Sequence, residues 1–290
     1  MNPIESLLQT LDLTDTGART EEDIFTGLSQ RMPNGRVYGG QVLAQALTAS
    51  MRTVDADRSV HSMHGYFLRA GDSELPITFA VDRIHDGRSF STRRTQAYQN
   101  GVPILSLIAS FQDEDPGLDH QSVMPQDLPA PEELPSAADV LGDIDHPVAR
   151  TWASDRPFDM RHIPSPIYLS VDGERTDRQA LWIRATSPLP DSSLIHQAAL
   201  AYASDYSILE PVLRRHGVPW ATPGAKIASL DHAMWWHRPA RVDEWLLYVQ
   251  DSPSASGGRG LSRGAFYTRG GSLVATVAQE GMIRIPADAE

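Results

Sequence analysis

An internal repeat is the feature that most constrains how this chain folds. Three blocks occur twice, in the same order and beside similar turns: 64–69 resembles 232–238, 87–91 matches 258–262, and 105–110 matches 274–279. One such match could arise by chance, but chance does not explain three in order. We therefore predict two similar halves that arose by internal duplication.

Each half combines one helix of small residues with several strand-like runs. The first half has a predicted helix at 41–51 and extended runs at 59–69, 75–84, 89–99 and 103–112. Asn100-Gly101, between the last two runs, is a strong hairpin signal. The second half has a predicted helix at 193–210 and strands at 179–187, 227–237, 245–250, 261–268 and 272–284. Long runs joined by short turns indicate antiparallel sheet, so the predicted class is α+β.

The composition changes between the two halves. Residues 113–147 are acidic and rich in proline, which is typical of a linker lying on the surface. The predicted organisation is therefore an N-terminal domain over 1–112, a linker over 113–147 and a C-terminal domain over 148–290.

The composition also excludes several classes of function. A formal net charge of −12 argues against nucleic acids and anionic membranes as main partners. Without cysteine there is no disulfide framework, thiolate nucleophile or cysteine-based metal site. No signal-peptide pattern opens the chain, and no stretch approaches the roughly 20 apolar residues of a membrane span. We expect a cytoplasmic protein.

Two motifs resemble catalytic or metal-binding sequences, but the predicted elements around them do not fit those functions. Gly260–Gly264 fits the G-x-S-x-G pattern, but a strand follows it where a nucleophile elbow needs a helix. His61 and His64 lie three apart on a strand and so point to opposite faces, which makes a metal pair unfavourable. No phosphate-binding loop or dinucleotide fingerprint occurs. We expect neither a metal nor a cofactor.

Three polar residues interrupt apolar elements of the second half. Asp205 shares the apolar stripe of the helix, Ser229 begins a strand, and Gln279 lies late in the last strand. Aligning the repeats places Ala49, His61 and Ser110 at the corresponding positions, so the set is complete in one half only. Each residue could be satisfied locally, as buried polar groups usually are. Their placement around one helix favours a single site.

Five blocks of the sequence resemble the acyl-CoA thioesterase II (TesB-type) family over nearly the whole chain. They are 37–41, 61–72, 87–93, 230–239 and 277–281. The resemblance implies a double hotdog, in which two antiparallel sheets each wrap around a long central helix. It also implies hydrolysis of fatty acyl-CoA to free acid and CoA, with Asp205, Ser229 and Gln279 as the catalytic residues.

That chemistry needs no covalent intermediate. Asp205 can accept a proton from a water molecule that Ser229 and Gln279 hold in line with the thioester carbonyl. Gly39 and Gly40, which open the first helix, are candidate oxyanion donors, although they could equally serve only a tight turn. Arg88 and Arg93 are candidate contacts for CoA phosphates, although they could equally be solvated charges.

Two other functions stay open at this point. An enoyl-CoA hydratase of the same fold usually pairs its Asp with a His, and no His occupies either water-holding position. An acyl-CoA-binding module without activity would be expected to lose the water-holding residues. The expected partner is a fatty acyl-CoA, and the expected assembly is a homodimer or homotetramer.

Overall fold

The computed structural model describes residues 2–18 and 20–286, which form a mixed α+β structure around one large antiparallel sheet. The helices are α1 (Pro3–Leu11), α2 (Gly39–Met51), α3 (Ala137–Leu141), α4 (Pro147–Arg150), α5 (Ser193–Ser204) and α6 (Glu210–His216). The strands are β1 (Thr14–Asp15), β2 (Asp23–Gly27), β3 (Ser59–Phe67), β4 (Ile77–Asp86), β5 (Phe90–Gln99), β6 (Val102–Gln112), β7 (Phe158–Ile163), β8 (Arg178–Ala185), β9 (Lys226–Ser229), β10 (Asp231–Trp236), β11 (Leu246–Ser256), β12 (Arg259–Thr268) and β13 (Leu273–Arg284).

The strand order is nearly symmetric about the middle of the sheet. It runs β1-β2-β4-β5-β6-β3-β10-β13-β12-β11-β8-β7, with β9 pairing to β13 off this path. Strands β3 and β10 pair antiparallel at the centre, where His64 faces Ala233 and Gly65 faces His232. The strands from the two halves therefore continue into one another, which pairs an edge of each that would otherwise face solvent.

The predicted hairpin at Asn100-Gly101 is confirmed. Gln99 pairs with Val102, and both turn residues have positive φ, at 50° for Asn100 and 74° for Gly101. This is the backbone that a two-residue hairpin turn requires, and asparagine and glycine adopt it at low cost.

Helices α2 and α5 pack against each other and against one face of the sheet. Their contact rests on small side chains, because Ala44, Ala46, Ala199 and Ala201 are fully buried. The hydrophobic core is continuous, with members from both halves. Short side chains let the two backbones approach closely, and this approach brings the start of α2 to the end of α5.

Two predicted boundaries were wrong, and both bear on the site. The predicted helix over 193–210 ends at Ser204, and Pro211 lies in the first turn of a separate helix, α6. Proline suits that position because its missing N–H would have no intrahelical partner there. The predicted strand over 227–237 is divided at Leu230 into β9 and β10.

The acidic segment after β6 lies on the surface and connects the two halves, and it also packs against the sheet. Its apolar residues Met124, Leu128 and Leu134 pack against a cluster on the second half of the sheet. Trp182 Nε1 in that cluster donates to the carbonyl oxygen of Pro129 at 2.9 Å. The predicted domain boundaries themselves stay a prediction. Among the described residues, no helix is long and apolar enough to cross a membrane.

Candidate active site

The structure brings Asp205, Ser229 and Gln279 together. Gln279 Nε2 donates to Asp205 Oδ1 at 3.0 Å and to Ser229 Oγ at 2.8 Å. Ser229 Oγ in turn donates to Asp205 Oδ1 at 3.2 Å. Asp205 Oδ1 thus accepts hydrogen bonds from both Ser229 and Gln279.

Asp205 sits where α5 ends, and the end of that helix is well satisfied. A helix leaves its last four carbonyl groups without intrahelical donors. Here the Tyr38 hydroxyl donates to the Tyr202 carbonyl at 2.9 Å, and the Tyr248 hydroxyl donates to the Ser204 carbonyl at 3.0 Å. The Asp205 N–H bonds to the Ala203 carbonyl. These contacts hold the backbone that presents the Asp205 carboxylate.

Strand register places the other two residues. Ser229 ends β9 opposite Gly281 of β13, and Gln279 lies two residues before Gly281. Residues two apart on a strand share a face, so Ser229 and Gln279 point to the same side of the sheet. A Cβ on Gly281 would lie 2.4 Å from Leu209 Cδ1, so glycine leaves room for the chain that follows Asp205.

A fourth polar residue, His232, lies directly behind Gln279. It is fully buried on β10, and its Nδ1 hydrogen-bonds Gln279 Oε1. Its Nε2 lies 3.0 Å from Ser204 Oγ. Burial lowers the pKa of His232 to about 4, so the ring is neutral near pH 7. In the sequence, His232 stands out only as part of the repeat. The signal that could have identified it is a polar residue among the inward-facing positions of β10, which Met234 and Trp236 otherwise fill.

The surroundings of Asp205 favour its protonated form. Burial raises the pKa of Asp205 to about 6, and hydrogen bonds from Gln279, Ser229 and the Gly40 N–H partly offset the increase. A carboxylate with this pKa is ionised near pH 7 and still basic enough to take a proton from water.

The start of α2 faces Asp205 from the first half of the chain. A Cβ on Gly39 would lie 2.6 Å from Asp205 Oδ2, so glycine is what lets this backbone approach the carboxylate. The Gly40 N–H helps to lower the pKa of Asp205, and a Cβ on Gly40 would lie 2.3 Å from the Tyr202 carbonyl oxygen. Gly39 therefore borders the site, while Gly40 permits the close contact between α2 and α5.

Asp205, Ser229 and Gln279 all line one cavity of about 750 Å³. Its wall comes from both halves and mixes apolar residues, with Phe67 and Ile227 among them, with polar and charged ones. Tyr38 stacks on Tyr206 with ring centroids 4.7 Å apart, and the Arg156 guanidinium lies 4.6 Å from the Tyr206 ring centroid. The aromatic and aliphatic lining suits a flexible apolar ligand.

The structure places Arg88 and Arg93 away from this cavity. Arg93 is buried, and its donors bond to Thr53, Asp86 and nearby backbone carbonyls. Arg88 is exposed near the tip of the β4–β5 hairpin, and neither residue lines the cavity. Arg31, Arg36 and Arg69 do line it, and all three are exposed. The prediction missed these three because nothing in their local sequence indicates a common cavity mouth. In the described part of the chain, no group of three or more His, Asp or Glu side chains could hold a metal ion.

Known proteins match both halves of the chain. A model of the family described as "Acyl-CoA thioesterase" matches residues 153–282, and one described as "Acyl-CoA thioesterase N-terminal domain" matches residues 28–112. Acyl-coenzyme A thioesterase 8 of Homo sapiens is 38% identical over 278 residues, covering 91% of this chain and 86% of its own.

Solved structures agree with these matches. The acyl-CoA thioesterase II TesB2 of Mycobacterium marinum superimposes with a TM-score of 0.77 at 39% identity, covering 98% of this chain and 99% of its own. A hot dog fold protein of unknown function from Alicyclobacillus acidocaldarius superimposes with a TM-score of 0.78 at 18% identity, covering 97% of this chain and 99% of its own, which bears on the fold alone. The structure is thus a hotdog-type fold, and the chain belongs to the acyl-CoA thioesterase family.

Proposed function

We propose that this protein hydrolyses fatty acyl-CoA thioesters to the free acid and CoA. The observation that carries the proposal is one carboxylate, Asp205, which accepts hydrogen bonds from Ser229 and Gln279 at the wall of a cavity that both halves line. Membership of the acyl-CoA thioesterase family supports the same activity.

In the proposed mechanism, a water molecule attacks the thioester carbonyl carbon while Asp205 takes its proton. Ser229 and Gln279 hold that water, which lowers the entropic part of the barrier. The tetrahedral intermediate then collapses, the carbon–sulfur bond breaks, and the proton held by Asp205 passes to the departing sulfur. A pKa near 6 suits a group that must both accept and return a proton near neutral pH.

The start of α2 is the proposed source of oxyanion stabilisation. A helix N-terminus carries unpaired N–H groups and a partial positive charge. Gly39 suits this role better than Gly40, because Gly39 lines the cavity and Gly40 does not. Arg36 and Arg69 suit CoA phosphates better than Arg88 and Arg93, because they are exposed at the cavity. Arg31 is also exposed there, but it forms an ion pair with Glu74 at 3.0 Å.

We also propose that the fold is a double hotdog produced by duplication, with α2 and α5 as its two central helices. The near-symmetric strand order and the central β3–β10 pairing support this interpretation. A homodimeric or homotetrameric assembly and a cytoplasmic location stay predictions.

The hydratase alternative is less well supported. His232 lies near Asp205, but it is fully buried behind Gln279 and does not line the cavity. It is therefore badly placed to transfer a proton to an enoyl group. An acyl-CoA-binding module without activity would not need two polar side chains bonded to one buried carboxylate.

One assay separates the three functions. The purified protein is given saturated acyl-CoAs of several chain lengths, and an enoyl-CoA, while free thiol and enoyl absorbance are followed. Thiol release from saturated acyl-CoA supports the proposal. Loss of enoyl absorbance without thiol release would indicate a hydratase, and binding without either reaction would indicate a binding module.

A further inference from the structure

His232 takes no part in the proposed chemistry, yet it contacts two elements of the site. Its Nδ1 bonds to Gln279 Oε1, and its Nε2 lies 3.0 Å from the hydroxyl of Ser204, the residue before Asp205. His232 is fully buried and does not line the cavity. It is therefore placed to act on turnover through Gln279 and Ser204, which it contacts.

The hydrogen bonds around Gln279 fix the tautomer of His232. The Gln279 amide nitrogen faces Asp205 and Ser229, so its carbonyl oxygen faces the imidazole. A carbonyl oxygen only accepts, so Nδ1 of the neutral ring must carry the hydrogen. Nε2 is then an acceptor, and the Ser204 hydroxyl must donate to it.

The other neutral tautomer of His232, with the hydrogen on Nε2, could also satisfy its neighbours. If the hydrogen moved to Nε2, the Ser204 hydroxyl could donate to the Ala201 carbonyl instead, 2.8 Å away. Nδ1 would then accept, and the Gln279 amide would turn its carbonyl oxygen toward the Asp205 carboxylate. Two oxygens that both accept would face each other across the site, and Asp205 and Ser229 would lose the amide donor that holds them in place.

We propose that His232 is a positioning residue, which locks the Gln279 amide with its NH₂ group toward Asp205 and Ser229 by donating from Nδ1 to its carbonyl oxygen. This inference rests on the proposed thioesterase function and adds a residue to its machinery. It predicts that turnover depends on a donor at the Nδ1 position, whatever occupies the rest of the side chain.

Two substitutions separate the ring nitrogens. In His232→Asn the amide group takes the place of Nδ1, and in His232→Gln it takes the place of Nε2, because the bond counts from Cα match. Both replacements are uncharged amides. His237→Gln serves as a control on the same stretch of chain, since the His237 ring bonds Thr276 Oγ1 at an exposed site.

We expect His232→Gln to lower kcat by about 10- to 100-fold, the range seen when outer partners of site residues are lost. His232→Asn should lower kcat less than tenfold, and KM should change little in either. The acid limb of the kcat/KM profile should move to higher pH in His232→Gln only, because the Gln279 hydrogen bond lowers the pKa of Asp205. If the two variants had equal kcat and equal acid limbs, the proposed role of His232 would be wrong. Thiol release by the wild type would still support the thioesterase function in that case. Failure of the wild type to release thiol would instead remove the proposed function.

A measurement on the unsubstituted ring covers the case in which neither variant folds. Nitrogen-15 chemical shifts of labelled histidine distinguish the two neutral tautomers, and the His232 signal is the one that shifts in Ser204→Ala. We expect hydrogen on Nδ1 and a bare Nε2. Hydrogen on Nε2 would contradict the proposal.

Discussion

Each half of the molecule carries one hydrogen-bonded pair of polar side chains at corresponding positions, but the two pairs differ in their residues and in their neighbours. In the first half, His61 Nε2 hydrogen-bonds Ser110 Oγ at 2.9 Å between β3 and β6. In the second half, Gln279 Nε2 bonds Ser229 Oγ at 2.8 Å. The second pair meets the Asp205 carboxylate. The helix of the first half ends instead at Arg52, whose guanidinium bonds the Leu13 carbonyl and Asp12.

This difference explains how two similar halves could share one site. The second half supplies the carboxylate and its two polar partners, and the first half supplies the N-terminus of α2. A helix start is favourable beside a negative charge, because its free N–H groups point at that charge. The halves are thus similar in strand order and complementary in what they supply to the proposed site. Substitutions in either half can test this comparison.

Removing the carboxylate should have the largest effect. Asp205→Asn keeps the shape of the side chain but cannot take a proton from water, so we expect kcat to fall by about 100-fold or more. Thiol release and acyl-CoA binding should be measured together, and binding should persist. Asp82→Asn, in an exposed ion pair with Arg94 on the first half, is the control. Wild-type turnover in Asp205→Asn would remove Asp205 from the mechanism.

The second largest effect on turnover should come from a substitution at the start of α2, which the first half contributes to the site. In Gly39→Ala the new methyl group would lie 2.6 Å from Asp205 Oδ2, so the carboxylate must move. We expect kcat to fall by about tenfold to 100-fold, since misplacing a reacting group by about 1 Å is that costly. Alanine suits a helix, so thermal stability should not explain the loss.

Gly65→Ala is the matched control for this prediction, because its methyl group would meet Leu43 Cδ2 at an ordinary 3.4 Å. Gly40→Val is less informative, since a Cβ there meets the Tyr202 carbonyl and separates the helices. Wild-type activity in both Gly39→Ala and Gly65→Ala would mean that the reaction does not depend on the close approach of α2 to Asp205.

Loss of either water-holding residue should cost less than loss of the base. We expect Ser229→Ala and Gln279→Ala each to lower kcat by roughly tenfold, since each orients the water without taking its proton. The double variant should lose far less than the product of the single effects, because the two side chains bond to each other and to one oxygen. Independent, multiplying effects in a double-mutant cycle would show that they do not act as one unit.

The pH dependence should report Asp205. With a pKa of about 6, kcat/KM should be flat near pH 8 and fall roughly tenfold per pH unit well below pH 6, as the carboxylate becomes protonated. An acid limb near pH 4 would contradict the burial of this group.

The free energy of unfolding should change with pH in the opposite direction to kcat/KM. A raised carboxyl pKa stabilises the fold at low pH, and this contribution is lost as pH rises through about 6. The wild type should therefore lose stability relative to Asp205→Asn between about pH 4 and pH 7, by at most about 3 kcal/mol. Urea unfolding of both proteins at several pH values measures the difference.

The sequence predicted the shared framework better than the differences between the halves. Alternation and turn signals predicted the long strands, because residues such as Asn100 and Gly101 constrain the backbone locally. The end of α5 at Ser204 was missed, because it depends on hydroxyl groups of Tyr38 and Tyr248, which are distant in sequence. Local periodicity continues past that point, and only tertiary contacts stop the helix.

Long-range packing also limited the prediction of the site. Asp205, Ser229 and Gln279 were singled out as polar residues on apolar elements, a signal that is local. The alignment placed Ala49 opposite Asp205, whereas counting from the helix ends places Arg52 there. Arg93 was offered as a substrate contact because its burial and its bonds to Thr53 and Asp86 cannot be read from a strand pattern.

The smallest effect should come from the polar pair of the first half. His61 and Ser110 bond to each other in the same way as Ser229 and Gln279, but neither lines the cavity. Burial lowers the pKa of His61, so the ring is neutral near pH 7 and supplies no charge to the distant carboxylate. We expect His61→Gln and Ser110→Ala to leave kcat and the acid limb within about twofold of wild type. Titration of active sites should give one per chain. A large loss of turnover in either variant, with the fold intact, would mean that both halves take part in the chemistry and that the single composite site is the wrong description.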